Sequence, residues 1–116
     1  MEERMQPDSA VVMYQRAIKQ SMASKDTKLI GLIYNQLGDL YLSHYLFNKS
    51  LLSYQSGLKY NQLFLDKINA SKSLRGIGKS YTYRSMPDSG LIYLSQALQL
   101  SESINDKEEV VRIHNN

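Results

Sequence analysis

The sequence predicts an all-α fold, an antiparallel-helix solenoid in which two full repeats lie between two half repeats. Three observations carry that prediction. An internal similarity recurs every 40 residues, apolar positions fall along each copy as one helical stripe, and turn-forming residues interrupt the stripes at a constant phase.

Each helix has its own justification. The first, near 8–22, carries Ala10-Val11, Tyr14 and Ala17-Ile18, apolar at i, i+1, i+4, i+7 and i+8. The second, near 27–44, carries Ile30, Ile33, Leu37, Leu40 and Tyr41 on one side. The third, near 48–63, repeats the first through Ser50-Leu51, Tyr54 and Gly57-Leu58, and the fourth, near 67–84, follows the second through Ala70, Leu74, Ile77 and Tyr81. The fifth, near 87–103, gives the first pattern again as Gly90-Leu91, Leu94 and Ala97-Leu98. It opens on Pro87-Asp88, where proline suits the first turn and aspartate the positive end of the helix dipole. A sixth helix begins near 107 and runs toward 116 with Val110 and Ile113. Pro7-Asp8-Ser9 returns as Pro87-Asp88-Ser89, Asp26, Asp66 and Asp106 share one phase, and Leu37-Gly38 matches Ile77-Gly78. Small residues at Ala10, Ser50 and Gly90, and at Ala17, Gly57 and Ala97, would let neighbouring helices approach closely.

Composition narrows the function. The 116 residues suit one domain, 1–116, with 42% hydrophobic and 22% charged residues, an ordinary globular balance. There is no cysteine, hence no disulfide, thiolate nucleophile or cysteine-based zinc site. Nine tyrosines and no tryptophan suit half-buried helix faces whose hydroxyls reach water. Fourteen basic against eleven acidic residues leave +3, and nowhere do five like charges run together, so direct nucleic-acid binding is not expected. The most basic and aromatic stretch, Lys79-Ser80-Tyr81-Thr82-Tyr83-Arg84, has Tyr81 committed to the apolar stripe. No segment is long and apolar enough to be a membrane span, and the chain is expected to work in the cytoplasm, unless its parent protein is membrane-anchored or periplasmic.

Catalysis is not expected. His44 and His114 have no carboxylate at metal or catalytic spacing, and Gly76-x-Gly78 lacks both a third glycine and a preceding strand. Neither a nucleophile elbow nor a phosphate loop occurs, and no cofactor or metal is implied. The glycines at Gly38, Gly57, Gly76, Gly78 and Gly90 read as close helix contacts.

Tyr34-x-x-Leu37-Gly38-x-x-Tyr41, followed by Ser50, Tyr54 and Gly57, resembles the tetratricopeptide repeat (TPR) signature. Leu74-x-x-Ile77-Gly78-x-x-Tyr81 with Gly90, Leu94 and Ala97 is a second copy, while Ala10, Tyr14 and Ala17 match the second helix of a preceding one. On this reading 8–22 closes a partial repeat, 27–63 and 67–103 are full repeats and 107–116 starts another. The period exceeds the common 34 residues, and Gln62 and Glu102 stand where a closing proline is usual, so the second helix and the following loop should be longer. A forty-residue period also suits HEAT-like repeats, but the Leu-Gly-x-x-Tyr core favours TPR.

The resemblance implies a non-catalytic scaffold for a protein or peptide, similar to the long TPR arrays of bacterial signalling and transcription-regulatory proteins. It also implies that this is a segment of a larger protein; the alternative is a short protein that covers its ends by dimerising. In either case Val11, Tyr14 and Ile18, or Val110 and Ile113, are expected on unpaired end faces that favour homo-oligomers. A structural self-assembly module with no groove ligand is the competing function. Carried over by motif position, the groove-facing residues are Leu32, Asn35, Asp39 and Leu42, then Lys72, Arg75, Lys79 and Thr82, then Arg112 and Asn115. Lys72, Arg75, Lys79 and Arg112 make the middle of that groove basic, which suits an acidic partner. It is not the full carboxylate clamp of chaperone-binding TPR domains, because Asn35 and Asp39 hold places where lysine and asparagine are required. The other reading is that these are solvated charges on an exposed face.

Overall fold

In the computed structural model, which describes residues 7–25 and 27–115, six α-helices follow one another: α1 (Pro7–Ala23), α2 (Ile30–Ser43), α3 (Phe47–Leu63), α4 (Lys67–Tyr83), α5 (Pro87–Ser103) and α6 (Lys107–His114). A 3₁₀ turn, Thr27–Leu29, leads into α2. No strand occurs among the described residues. Met1 to Gln6, Asp26 and Asn116 lie outside them, so the expected role of Asp26 in the first turn is not described.

The structural unit is half the sequence period. Helical segments begin at 7, 27, 47, 67, 87 and 107, and a left-handed residue follows each of the first five, at Lys25, Tyr45, Leu65, Ser85 and Asn105. Four of the turns close in the same way. The amides of Leu46, Asp66, Met86 and Asp106 donate to the carbonyls of Tyr41, Asn61, Tyr81 and Ser101, five residues back. These are Schellman turns built without glycine. The residue that ends each turn also starts the next helix: the carbonyls of Leu46, Asp66, Met86 and Asp106 accept from the amides of Ser50, Ala70, Gly90 and Val110. Asp66 and Asp106 add a side-chain cap, to the amides of Asn69 and Glu109. Turns this short force neighbouring helices to run antiparallel.

The turn between the expected repeats is therefore no longer than the turn inside one, contrary to the expected long loop. α4 and α5 are also equal in length, at 17 residues each.

Each helix packs on its neighbours in the chain, and α4 also contacts α2 and α6, while among the described residues no comparable contact joins α1, α3 and α5. The core follows the expected stripes. Leu51, Tyr54 and Ile77 form one buried cluster and Leu74, Ala97 and Ile113 another, with Leu58 and Tyr93 touching both. Small polar residues let the helices come close: Ser50 and Ser80 share a hydrogen bond of 2.8 Å, and Ser71 and Ser101 share another.

Three expectations are corrected here. Ile18 and Ile113 are buried rather than displayed at the ends, because α2 covers Ile18 and Leu74 and Ala97 enclose Ile113. Val11, Tyr14 and Val110 are half-buried. Leu91, on the expected stripe, is 64% exposed, because α6 ends at His114 short of the place where α4 covers the equivalent Leu51.

Candidate functional site

The side of α4 that faces α2 and α6 carries a cluster of charges. Two adjoining hollows lie along it. The smaller, about 250 Å³, is lined by Leu32, Asn35, Asp39, Lys72, Arg75 and Arg112 among others. The larger, about 480 Å³, runs past Asp39, Arg75 and Lys79 to Tyr45, Phe47 and Tyr83. Asp39 and Arg75 line both, so the hollows form one groove.

Helical spacing explains the arrangement. Lys72, Arg75 and Lys79 stand at i, i+3 and i+7 on α4, hence on one face. The opposite face supplies Leu74 and Ile77 to the core, which fixes the cations toward the groove. All three side chains are partly exposed.

The floor is held by Tyr54. Its ring, 1% exposed, lies between Gly38 of α2 and Gly76 of α4. A methyl group added at Gly38 would come within 2.7 Å of the ring, and one at Gly76 closer still, so both glycines exist to admit it. The Tyr54 hydroxyl donates to Asp39 Oδ1. Burial first, and the Asp39 carboxylate next, push that hydroxyl well above the ordinary tyrosine value, so it remains a donor.

Two predicted groove residues are partly consumed by the fold. Asn35 is 5% exposed; its Nδ2 donates to the Asn69 carbonyl at 3.0 Å and its Oδ1 accepts from Ser73. It ties α2 to α4 and is not free to contact a ligand. Arg75 Nε pairs with Glu109 Oε2 of α6. Glu109 is fully buried; its second oxygen has no hydrogen bond and lies 3.6 Å from Arg112 Nη1. Glu109 therefore holds Arg75 and Arg112 on either side of itself.

Lys72 and Lys79 have no carboxylate at ion-pair distance among the described residues. For Lys79 the surroundings oppose its charge. Burial foremost, then the Arg75 guanidinium, lower its pKa from the ordinary lysine value, against the pull of Asp39 and Glu109. An arriving carboxylate would relieve that cost.

Of the expected set, the structure brings Asp39, Lys72, Arg75, Lys79 and Arg112 together, with Asn35 beneath them. It leaves Asn115 apart, exposed at the C-cap of α6 with its amide bonded to Val111. Leu42 lines the larger hollow, while the Thr82 hydroxyl is turned back onto the Gly78 carbonyl.

The sequence reading missed three aromatic residues of the groove and the buried Glu109 that holds Arg75. Tyr45, Phe47 and Tyr83 come from helix ends and a turn, outside the motif positions; Phe47 and Tyr83 stack at 5.4 Å, and Tyr45 meets Phe47 edge-on at 6.3 Å. Glu109 reads as the N3 member of a capping box with Asp106, and only the three-dimensional approach of α6 to Arg75 shows its other use. No cluster of three histidine or acidic side chains suited to a metal ion is present among the described residues. None of the described helices is long and apolar enough to cross a membrane.

No protein-family model and no curated protein matches the chain.

Proposed function

We propose that the chain is a non-catalytic protein-interaction scaffold, a right-handed solenoid of TPR-like repeats whose groove holds an acidic peptide segment of a partner protein. One observation carries the reading. Four cations, Lys72, Arg75, Lys79 and Arg112, meet in one groove with two carboxylates, Asp39, which accepts from the Tyr54 hydroxyl, and Glu109, which pairs with Arg75, so positive charge is in excess there. Lys72 and Lys79, partly buried and with no carboxylate at ion-pair distance among the described residues, attract an anion more strongly than fully solvated cations do. The repeated turn geometry and the enclosure of Tyr54 by Gly38 and Gly76 support the repeat assignment. A place in a bacterial signalling or regulatory protein, working in the cytoplasm, belongs to the same proposal and rests on the sequence resemblance alone.

The test is fluorescence anisotropy with a labelled glutamate-rich decapeptide and a lysine-rich one of equal length. The protein should bind the first, more weakly as salt rises, and ignore the second. Lys72→Glu/Lys79→Glu should lose that binding, and these two positions are preferred because neither is tied to Glu109. Equal binding of both peptides would overturn the proposal.

A second reading, self-association, draws support from Leu91, Ile92 and Val111 exposed near the α6 end and Val12 and Met13 on α1. Sedimentation velocity separates the two. A dimer that forms in the absence of peptide and excludes it favours assembly.

A further inference from the structure

The 40-residue period supplies an internal control for deciding which groove residues the fold requires. The turn after α4, Ser85-Met86-Pro87, adopts the same left-handed turn geometry as Tyr45-Leu46-Phe47 after α2. It has serine where the earlier turn has Tyr45 and proline where it has Phe47. Tyr83 likewise corresponds to Ser43, at the same place in α2. The turn thus forms without aromatic residues, yet at the open end of the cationic groove three of them gather. Tyr45 and Tyr83 are exposed, and Phe47 is half-buried. Aromatic rings are enriched at binding surfaces relative to the rest of a protein's exterior.

We infer that the groove recognises a two-part determinant on an extended peptide segment of a partner protein: a carboxylate placed on Lys79 and, two residues away, an aromatic side chain placed on the Tyr45, Phe47 and Tyr83 shelf. The inference rests on the proposed acidic-peptide reading and adds the second half of its specificity. The spacing follows from helix and strand geometry. Lys79 and Tyr83 are four residues apart on α4, which is about 6 Å along the helix axis. Residues i and i+2 of an extended peptide point to one side and are about 6.6 Å apart. A segment lying along α4 can therefore present an acid and a ring together, whereas adjacent residues would point to opposite sides. Charge sets the identity of the first partner. The cations lining the larger hollow are Arg75, which is held by Glu109, and Lys79, which has no carboxylate at ion-pair distance among the described residues; Asp39, the carboxylate there, is turned to the Tyr54 hydroxyl. Ring stacking sets the second, because the flat Phe47–Tyr83 pair offers a π-face to an incoming ring.

The experiment uses the 116-residue chain and short capped peptides, read by amide chemical-shift titration. N-acetyl-Asp-Gly-Phe amide and its reverse, N-acetyl-Phe-Gly-Asp amide, present the two groups at the inferred spacing in both directions. N-acetyl-Asp-Gly-Ala amide lacks the ring, N-acetyl-Asn-Gly-Phe amide lacks the charge, and N-acetyl-Asp-Phe-Gly amide has the wrong spacing. At least one of the first two should bind about fivefold or more tighter than every control, with shifts at Lys79 and at Tyr83. Tyr83→Ser, which copies the residue at position 43, should erase that margin and leave the weaker binding of N-acetyl-Asp-Gly-Ala amide unchanged. If the ring adds nothing while the acid still shifts Lys79, the aromatic shelf is wrong and the acidic groove survives. If no peptide shifts the groove signals, both fail.

Discussion

α2 and α4 hold equivalent places in the molecule, and each presents a glycine to the same tyrosine, yet their groove faces have opposite characters. α2 offers Leu32, Asn35 and Asp39, where α4 offers Lys72, Arg75 and Lys79. On α2 the polar side chains are turned to the fold: Asn35 is buried against α4, and Asp39 receives the Tyr54 hydroxyl. On α4, two of the three cations have no partner at ion-pair distance among the described residues. The fold repeats what packing requires and varies what faces the groove. Lys79 stands beside Arg75, where burial and the neighbouring cation both disfavour its charge.

The largest expected effect breaks both helices at their shared contact. Tyr54→Ala should cost about 3–5 kcal/mol by urea denaturation, because a fully buried ring is lost from between Gly38 and Gly76. The same tyrosine gives the alkaline limit a sign. Its folded pKa lies above its unfolded value of about 10, so the stability it contributes is complete below that pH and is lost as pH rises beyond it. Tyr54→Phe should flatten that loss.

Glu109→Gln should sharpen the contrast between the two helices. It removes the charge that occupies Arg75 and should cost about 1.5–3 kcal/mol of stability. It should also tighten binding of the glutamate-rich decapeptide, since Arg75 and Arg112 become available. A variant that loses both stability and affinity would mean that Glu109 positions Arg75 for binding rather than competing for it.

The smallest effect should fall on the scaffold alone. Leu65 sits at φ 56° in the turn before α4 and is 82% exposed, so its side chain gains little there while its backbone is strained. Leu65→Gly should raise stability by about 0.5–1 kcal/mol and leave peptide affinity unchanged.

Much of this was legible in the sequence because packing repeats. The stripes through Leu51, Tyr54, Leu74, Ile77 and Ala97 mark core positions directly, and the breaks fall within a few residues of the observed turns. The start of α2 was less legible: Thr27–Leu29 winds as a 3₁₀ turn, and Leu29 offers no capping side chain of the kind Asp66 and Asp106 supply. The half-length unit was hidden because its turns use Lys25, Tyr45, Leu65, Ser85 and Asn105, five residue types with no glycine to mark them. At the groove, motif position located the cations of α4 but not their partners. That Asn35 turns inward and Glu109 reaches Arg75 depends on how closely alternate helices approach, which local sequence does not encode.

If the unpaired lysines of α4 select a negatively charged peptide, their charge decides which peptide binds. Exchanging the charges tests it most directly: Lys72→Glu/Lys79→Glu against the glutamate-rich and lysine-rich decapeptides, by anisotropy at low salt. The preference should reverse, the variant losing the acidic peptide by at least tenfold and gaining the basic one. An unchanged preference in a variant that remains folded would contradict it.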